Sequence, residues 1–265
     1  MAISIESTLS DLHRPVVGDL PRLHDRSSPA DVARTIDVVG SADLARPRAR
    51  TTPASERAIN AINVTIAATA LLLLSPLLVL VAIIIKLTSP GPIFYMQSRV
   101  GIDRRRRGGT DFYDRRIQDL GGRIFTIYKF RSMSVDSERT GAVWATRQDA
   151  RVTRIGRIIR KTRIDELPQL INVVKGDMNI VGPRPERPSI FVRLRGQIDQ
   201  YQDRQQAKPG ITGWAQINNP YDTCLDDVRR KVALDLQYLE RRCVREDLKI
   251  MAMTLPVMIF RKGGW

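Results

Sequence analysis

Cysteine is nearly absent from this 265-residue chain, with Cys224 and Cys243 as its whole complement. Two cysteines cannot build a disulfide framework and are not spaced as a zinc site, so a reducing compartment is expected. Histidine is as scarce. His13 and His24 both lie near the N-terminus, in a stretch read below as disordered, so chemistry elsewhere has to run without an imidazole. That excludes a serine or cysteine nucleophile with a histidine base, and the common histidine zinc sites. Carboxylates, lysine, tyrosine and a hard cation remain. Acidic residues are also in deficit, 28 Asp and Glu against 43 Lys and Arg, for a formal net charge of +15. Such an excess points to phosphates: nucleotides, nucleic acid or anionic lipid head groups.

Charge is missing altogether from residues 58–85, between Arg57 and Lys86. As a straight helix this run is about 42 Å long at 1.5 Å per residue, more than the ~30 Å of a bilayer core. Ser75-Pro76 interrupts it, because Pro76 lacks a donor and clashes with the carbonyl of Leu72, so a kink or break is expected there. Arg46, Arg48, Arg50 and Arg57 precede the run, and Lys86, Arg99 and Arg104 to Arg107 follow it. Basic flanks favour the cytoplasm on both sides. A helix that enters and leaves on one face satisfies both flanks; hydropathy alone admits a tilted single span equally well.

Residues 1–56, rich in Arg, Asp, Ser, Pro and Ala, lack an apolar period and are expected to form a disordered tail. They do not resemble a secretory signal, so the protein is expected to stay on the cytoplasmic side. After the apolar run, Pro92 to Gln97 and Arg123 to Phe130 have strand character and flank a polar stretch, residues 103–122, which predicts a hairpin with a long basic loop. From Arg151 to Arg163 an arginine recurs every third residue, and Val152, Ile155, Ile158 and Ile159 fall at helical spacing. An amphipathic helix follows, either on a membrane or on a soluble surface. A second element from Asp247 to Phe260 is too short to span; Pro256 is expected to break it, leaving a core or an interfacial helix.

Asp165-Glu166 directly follow the arginine-rich segment. Adjacent carboxylates repel unless cations or a metal intervene, and Arg160, Lys161 and Arg163 are close in sequence. A phosphate substrate brings Mg2+ to such oxygens; taken alone, the pair fits a helix cap or a solvated surface as well. Arg184, held between Pro183 and Pro185, has a pre-oriented guanidinium able to grip phosphate, or is an arginine exposed on a rigid turn. Lys208-Pro209-Gly210 offers a second cation on a tight turn.

In order, Ser75-Pro76, Tyr128-Lys129-Phe130-Arg131-Ser132-Met133, Asp165-Glu166-Leu167-Pro168-Gln169-Leu170, Lys175-Gly176-Asp177-Met178, Val181-Gly182-Pro183-Arg184-Pro185 and Lys208-Pro209-Gly210-Ile211-Thr212-Gly213-Trp214-Ala215-Gln216 resemble the bacterial sugar transferases that act as monotopic phosphoglycosyl transferases. The resemblance covers residues 57–265. It implies an α+β, mostly α-helical, monotopic membrane enzyme with a re-entrant helix broken at Ser75-Pro76 and interfacial amphipathic helices. Residues 1–56 would be tail, 57–88 the membrane helix and 89–265 the catalytic domain.

The resemblance also implies the reaction. Asp165 attacks the β-phosphate of a UDP-sugar, UMP leaves, and polyprenyl (undecaprenyl) phosphate takes up the phosphosugar. Glu166 orients metal or acceptor, with Mg2+ on Asp165 and Glu166; Lys129, Arg131, Arg160, Arg184 and Lys208 carry over as phosphate or structural anchors. Trp214-Ala215-Gln216 and the stretch from Tyr238 to Lys249 look like relatives that initiate exopolysaccharide synthesis with hexose-1-phosphate. Expected partners are the UDP-sugar, the polyprenyl phosphate and the cytoplasmic membrane, with the active site on the cytoplasmic face, without nucleic acid, and with a homodimer allowed. The 103–122 stretch is longer and more basic than the family pattern, and Thr162-Arg163-Ile164 replaces a small hydroxyl residue and a leucine. Two rival readings are a membrane-tethered binder of anionic lipid or nucleic acid, which the charge would serve, and a silent scaffold of a polysaccharide assembly complex.

Overall fold

The computed structural model describes residues 51–103, 119–138, 149–219 and 224–260. Residues 1–50 of the expected tail and most of the basic loop, 104–118, lie outside them. The first helix, α1 (Pro53–Thr88), starts four residues before Arg57, because Thr52 is an N-cap: its hydroxyl accepts from the Ser55 N–H at 3.2 Å, and Pro53 occupies a first-turn position that needs no donor. The break expected at Ser75-Pro76 is not found: α1 continues through Pro76, whose missing donor costs one hydrogen bond while the turns on both sides remain, and Ser75 Oγ donates to the Leu72 carbonyl at 2.8 Å.

The predicted hairpin is present. Strands β1 (Phe94–Val100) and β2 (Ile124–Phe130) pair antiparallel from Phe94 opposite Phe130 to Val100 opposite Ile124, with the two phenylalanine rings stacked at 5.5 Å. Helix α2 (Arg154–Lys161) begins after Thr153, whose hydroxyl accepts from the Gly156 N–H. It is shorter than the arginine repeat, for Arg151 lies before it, paired with Asp149 at 2.6 Å. A 3-10 turn, Ile164–Glu166, leads into α3 (Gln169–Val174), and then come β3 (Asn179–Val181) and α4 (Pro188–Arg195). A second 3-10 turn, Tyr201–Gln206, precedes β4 (Gly210–Thr212), parallel to β3. Helices α5 (Trp214–Asn218), α6 (Leu225–Arg241) and α7 (Val244–Phe260) complete the chain. Pro256 does not break α7 as expected: a proline removes one hydrogen bond, and the helical turns on either side remain.

Three apolar clusters organise the packing. One unites Val181, Phe191, Val232, Leu236, Leu239 and Ile250 from β3, α4, α6 and α7. In the second, Ala67 of α1 meets Phe125, Ile127, Leu170 and Val173. The third sets Val81 and Ile85, farther along α1, against Phe130 and Ile159. Both halves of α1 therefore pack on the same domain, against Phe125, Ile127 and Phe130 of β2, whereas Leu72 and Leu73 between them are 74% and 73% exposed.

A buried polar network anchors the N-terminal half of α1. Asn63 Oδ1 accepts from the Ile180 N–H at 2.6 Å, and Arg242 is ion-paired with Glu56. Beside them the Tyr238 hydroxyl donates to Asp247 Oδ1 at 2.7 Å, while Asp247 Oδ2 is buried without a partner among the described residues. Burial first, resisted by the Tyr238 hydrogen bond and Arg242 and assisted by Glu56 and Glu246, pushes the Asp247 carboxyl up to about 6. Its unfolded value is about 4, so between those pH values the folded state holds the extra proton and stability falls as pH rises. Asp247→Asn is therefore expected to match the wild type near pH 4 and to exceed it by about 3 kcal/mol above pH 6. Denaturation midpoints across that range check the difference.

Candidate active site

The acidic pair sits on the 3-10 turn between α2 and α3, entered through Arg163 in the left-handed conformation, φ 59. A non-glycine residue there costs on the order of 1 kcal/mol or more, and it turns the chain so that Asp165 and Glu166 both face inward, each 9% exposed. The pair is therefore neither a solvated surface nor a helix cap.

The cations reach it from distant segments. Lys129 Nζ from β2 and Arg184 Nη2 from the segment after β3 lie 2.8 and 2.9 Å from the same oxygen, Glu166 Oε1. Burial alone would raise the Glu166 carboxyl, but the charges of Lys129 and then Arg184 outweigh it and hold the group well below the usual carboxylate range. Lys129, burial dominating over Glu166, is pushed down, and Arg184, with Glu166 as the leading influence, is pushed up. Asp165 has the opposite fate. Its Oδ1 is buried with no hydrogen-bond partner among the described residues, and burial, then the Glu166 charge, lift its carboxyl to about 6 against Lys129, Arg160 and Arg163. Two neighbouring carboxylates are thus split into a locked anion and a basic one with a buried, unpartnered oxygen among the described residues.

Of the other expected anchors, Arg131 has a structural role. Arg131, 5% exposed, donates from Nη1 to the Pro90 carbonyl at 2.8 Å and from Nη2 to that of Ser89 at 2.7 Å. It closes the C-terminal end of α1. Lys208 stands near Gly176, its Nζ 3.7 Å from where a side-chain carbon on that glycine would sit. Arg160, by contrast, belongs to the charge environment of Asp165. The loop carrying Arg184 is seated by a close approach of β3 to β4: the Gly182 N–H donates to the Thr212 carbonyl at 2.9 Å, and a Cβ on Gly182 would stand 2.8 Å from Gly210 N. That explains glycine at both positions.

Sequence reading missed Asn172. Fully buried, it donates from Nδ2 to the Thr126 carbonyl at 2.7 Å and accepts the Tyr128 N–H at 3.1 Å. It thereby ties α3, behind the acidic pair, to the strand bearing Lys129; an asparagine within an apolar helical run was the available signal.

As for metal, no cluster of three or more Asp, Glu, His or Cys is found among the described residues. Two hard carboxylates, one with an unpartnered buried oxygen at Asp165, are a donor set that suits Mg2+, which takes one or two protein carboxylates and completes its shell from phosphates and water.

A buried acidic pair flanked by cations, built against a helix of mean hydropathy 2.8 in its most apolar window, defines an α+β protein with a charged site beside a membrane-compatible helix. The chain belongs to the bacterial sugar transferase family, whose model matches residues 55–261. It is 40% identical over 202 residues to the UDP-N-acetylgalactosamine-undecaprenyl-phosphate N-acetylgalactosaminephosphotransferase of Aeromonas hydrophila, covering 76% of this chain and 44% of that protein. With the undecaprenyl-phosphate glucose phosphotransferase of Komagataeibacter xylinus it shares 41% over 213 residues, 77% of this chain and 36% of the relative. A UDP-glucose:undecaprenyl-phosphate glucose-1-phosphate transferase of Caulobacter vibrioides is 38% identical over 200 residues, 75% and 68% of the two chains. The chain spans less than half the length of the first two relatives.

Proposed function

We propose that this protein transfers a hexose-1-phosphate from a UDP-sugar to undecaprenyl phosphate at the cytoplasmic face of the membrane, initiating a lipid-linked glycan such as an exopolysaccharide. The observation that carries the mechanism is the asymmetry of the acidic pair, an Asp165 whose buried, basic carboxylate has an oxygen without a hydrogen-bond partner among the described residues, beside a Glu166 locked by Lys129 and Arg184. Family membership and the names of the relatives carry the substrate class.

At neutral pH a carboxyl titrating near 6 is mostly ionised yet more basic than an ordinary aspartate, which suits a nucleophile. An Asp165 oxygen attacks the β-phosphorus of the UDP-sugar; the bond from that phosphorus to the oxygen bridging the α-phosphate breaks, and UMP leaves with that oxygen. An undecaprenyl phosphate oxygen then attacks the same phosphorus, and the Asp165 carboxylate departs. Lys129, Arg184 and Arg160 stand where the diphosphate charge is brought in, able to exchange carboxylate for phosphate contacts. Asp165 and Glu166 would hold Mg2+, which would supply further neutralisation of phosphate charge.

For the membrane helix, both ends of α1 pack on one domain while its middle leaves Leu72 and Leu73 bare. A straight helix of this length, 36 residues, spans about 54 Å, more than a bilayer core of about 30 Å; the packing of both its ends on one domain, with the bare leucines between, supports a re-entrant element with residues 89–265 on the cytoplasmic side. Exposed leucines there would each forgo about 1.5–3 kcal/mol in water, which a bilayer recovers.

The test is UMP release from a panel of UDP-sugars by the purified protein with undecaprenyl phosphate and Mg2+. Release with one or two sugars is expected; silence across the panel from folded protein would reject the reading in favour of a binder or scaffold.

A further inference from the structure

The short segment from Pro183 to Glu186 contains two prolines and cannot pair as a strand, so its carbonyls need partners from elsewhere. Each of the four has one, and each donor comes from a different residue. The Gly210 N–H donates to the Pro183 carbonyl at 3.0 Å and the Val100 N–H to that of Glu186 at 2.9 Å. Arg204 Nη2 donates to the Arg184 carbonyl at 3.2 Å, and Arg99 Nη1 to that of Pro185 at 2.9 Å. The Glu186 side chain is fastened too, accepting from Lys231 Nζ at 2.8 Å.

Arg204 is the unusual member. It is wholly buried, donates from Nε to Asp235 Oδ2 at 2.7 Å, and lies over the Tyr201 ring at 5.0 Å. Buried ion pairs are weak sources of stability, since well-packed apolar residues of similar volume usually do as well or better. An apolar pair, however, could not donate to the Arg184 carbonyl. What the pair uniquely supplies is a fork that grips Asp235 with one nitrogen and the backbone of Arg184 with another, while the Arg184 side chain reaches Glu166 Oε1 at 2.9 Å.

We propose that Arg204, oriented by Asp235 and seconded by Arg99, is a positioning residue that fixes the backbone of Arg184 so that its guanidinium is delivered to Glu166 and to the donor diphosphate. The diphosphate part rests on the transferase reading. Displacements of about 1 Å in such a group cost on the order of 100-fold in rate, so an effect of tenfold or more is expected from loosening one of four fastenings.

Arg204→Lys keeps a cation for Asp235 but cannot bridge to the Arg184 carbonyl as well. In the full chain, kcat/KM for the UDP-sugar is expected to fall at least tenfold with KM for undecaprenyl phosphate unchanged, and the same change made in an Arg184→Ala background is expected to cost nothing further. Phenylglyoxal, followed by peptide mass spectrometry, is expected to modify Arg184 several-fold faster in Arg204→Lys. Losses that multiply in the double variant, or an unchanged Arg184 modification rate, overturn the proposal. Should Arg204→Lys fail to fold, Arg99→Met on the half-buried strand β1 carries the same expectations. If the wild type releases no UMP, the transferase reading falls, and the Arg184 modification rate alone decides whether Arg204 positions it.

Discussion

Asp165→Asn is expected to lower kcat by at least about 1,000-fold while leaving the fold as stable as the wild type or more so. The activity loss follows from removing the nucleophile: an amide at that position cannot form the acyl phosphate, and a 1,000-fold loss corresponds to about 4 kcal/mol of barrier. The stability sign follows from burial. The Asp165 carboxyl is lifted to about 6, so its ionised form is disfavoured by folding at neutral pH, and a neutral isostere removes that penalty. UMP release and thermal denaturation on the same preparation check both halves. A binder or scaffold would keep its interactions in this variant, whereas a transferase that retained a tenth of its turnover would deprive Asp165 of the nucleophile's role.

Glu166→Gln is expected to act with the opposite sign on stability. Lys129 and Arg184 both rest on Glu166 Oε1, each within 3 Å, and a glutamine leaves two largely buried cations without their anion. Removing one partner of a buried ion pair costs about 3–5 kcal/mol. Turnover should fall at least about 100-fold, because Lys129 and Arg184 would repel each other and leave the positions from which they meet phosphate. Solvent reaches Arg184, whose side chain is 35% exposed, so the low end of that range is expected; a denaturation midpoint unchanged from wild type would contradict the shared-oxygen geometry. The two neighbouring carboxylates are thus separable by experiment: one variant inactive and stable, the other weakened in both respects.

Much of the architecture was legible from neighbouring residues. The uncharged run, the strand-like segments 92–97 and 123–130, and the arginine-rich helix are local patterns of period and composition, and each element forms, the first strand displaced to 94–100. Boundaries drifted where capping decided them: Thr52 begins α1 ahead of Arg57, and Thr153 trims the arginine repeat to Arg154–Lys161. Proline was overread as a breaker. In α7, Pro256 lies within the helix at the loss of a single bond, because one missing donor does not outweigh the turns on both sides.

The site divides along the same line. Asp165, Glu166 and Arg184 are visible as motif residues, and adjacency in the chain already implies that the two carboxylates repel unless protons, cations or a metal intervene. Which one is locked and which is open depends on Lys129, Arg160 and Arg184 arriving in space, as does the departure of Arg131 to the end of α1. Arg99, Arg204 and Asp235 carry no motif of their own; they become part of the site only because β1, the Tyr201–Gln206 turn and α6 converge behind one proline-rich segment. Helical period and residue type are properties of a few consecutive residues and can be read in order, but burial and charge pairing are set by distances between segments far apart in the chain, and those distances exist only once it has folded.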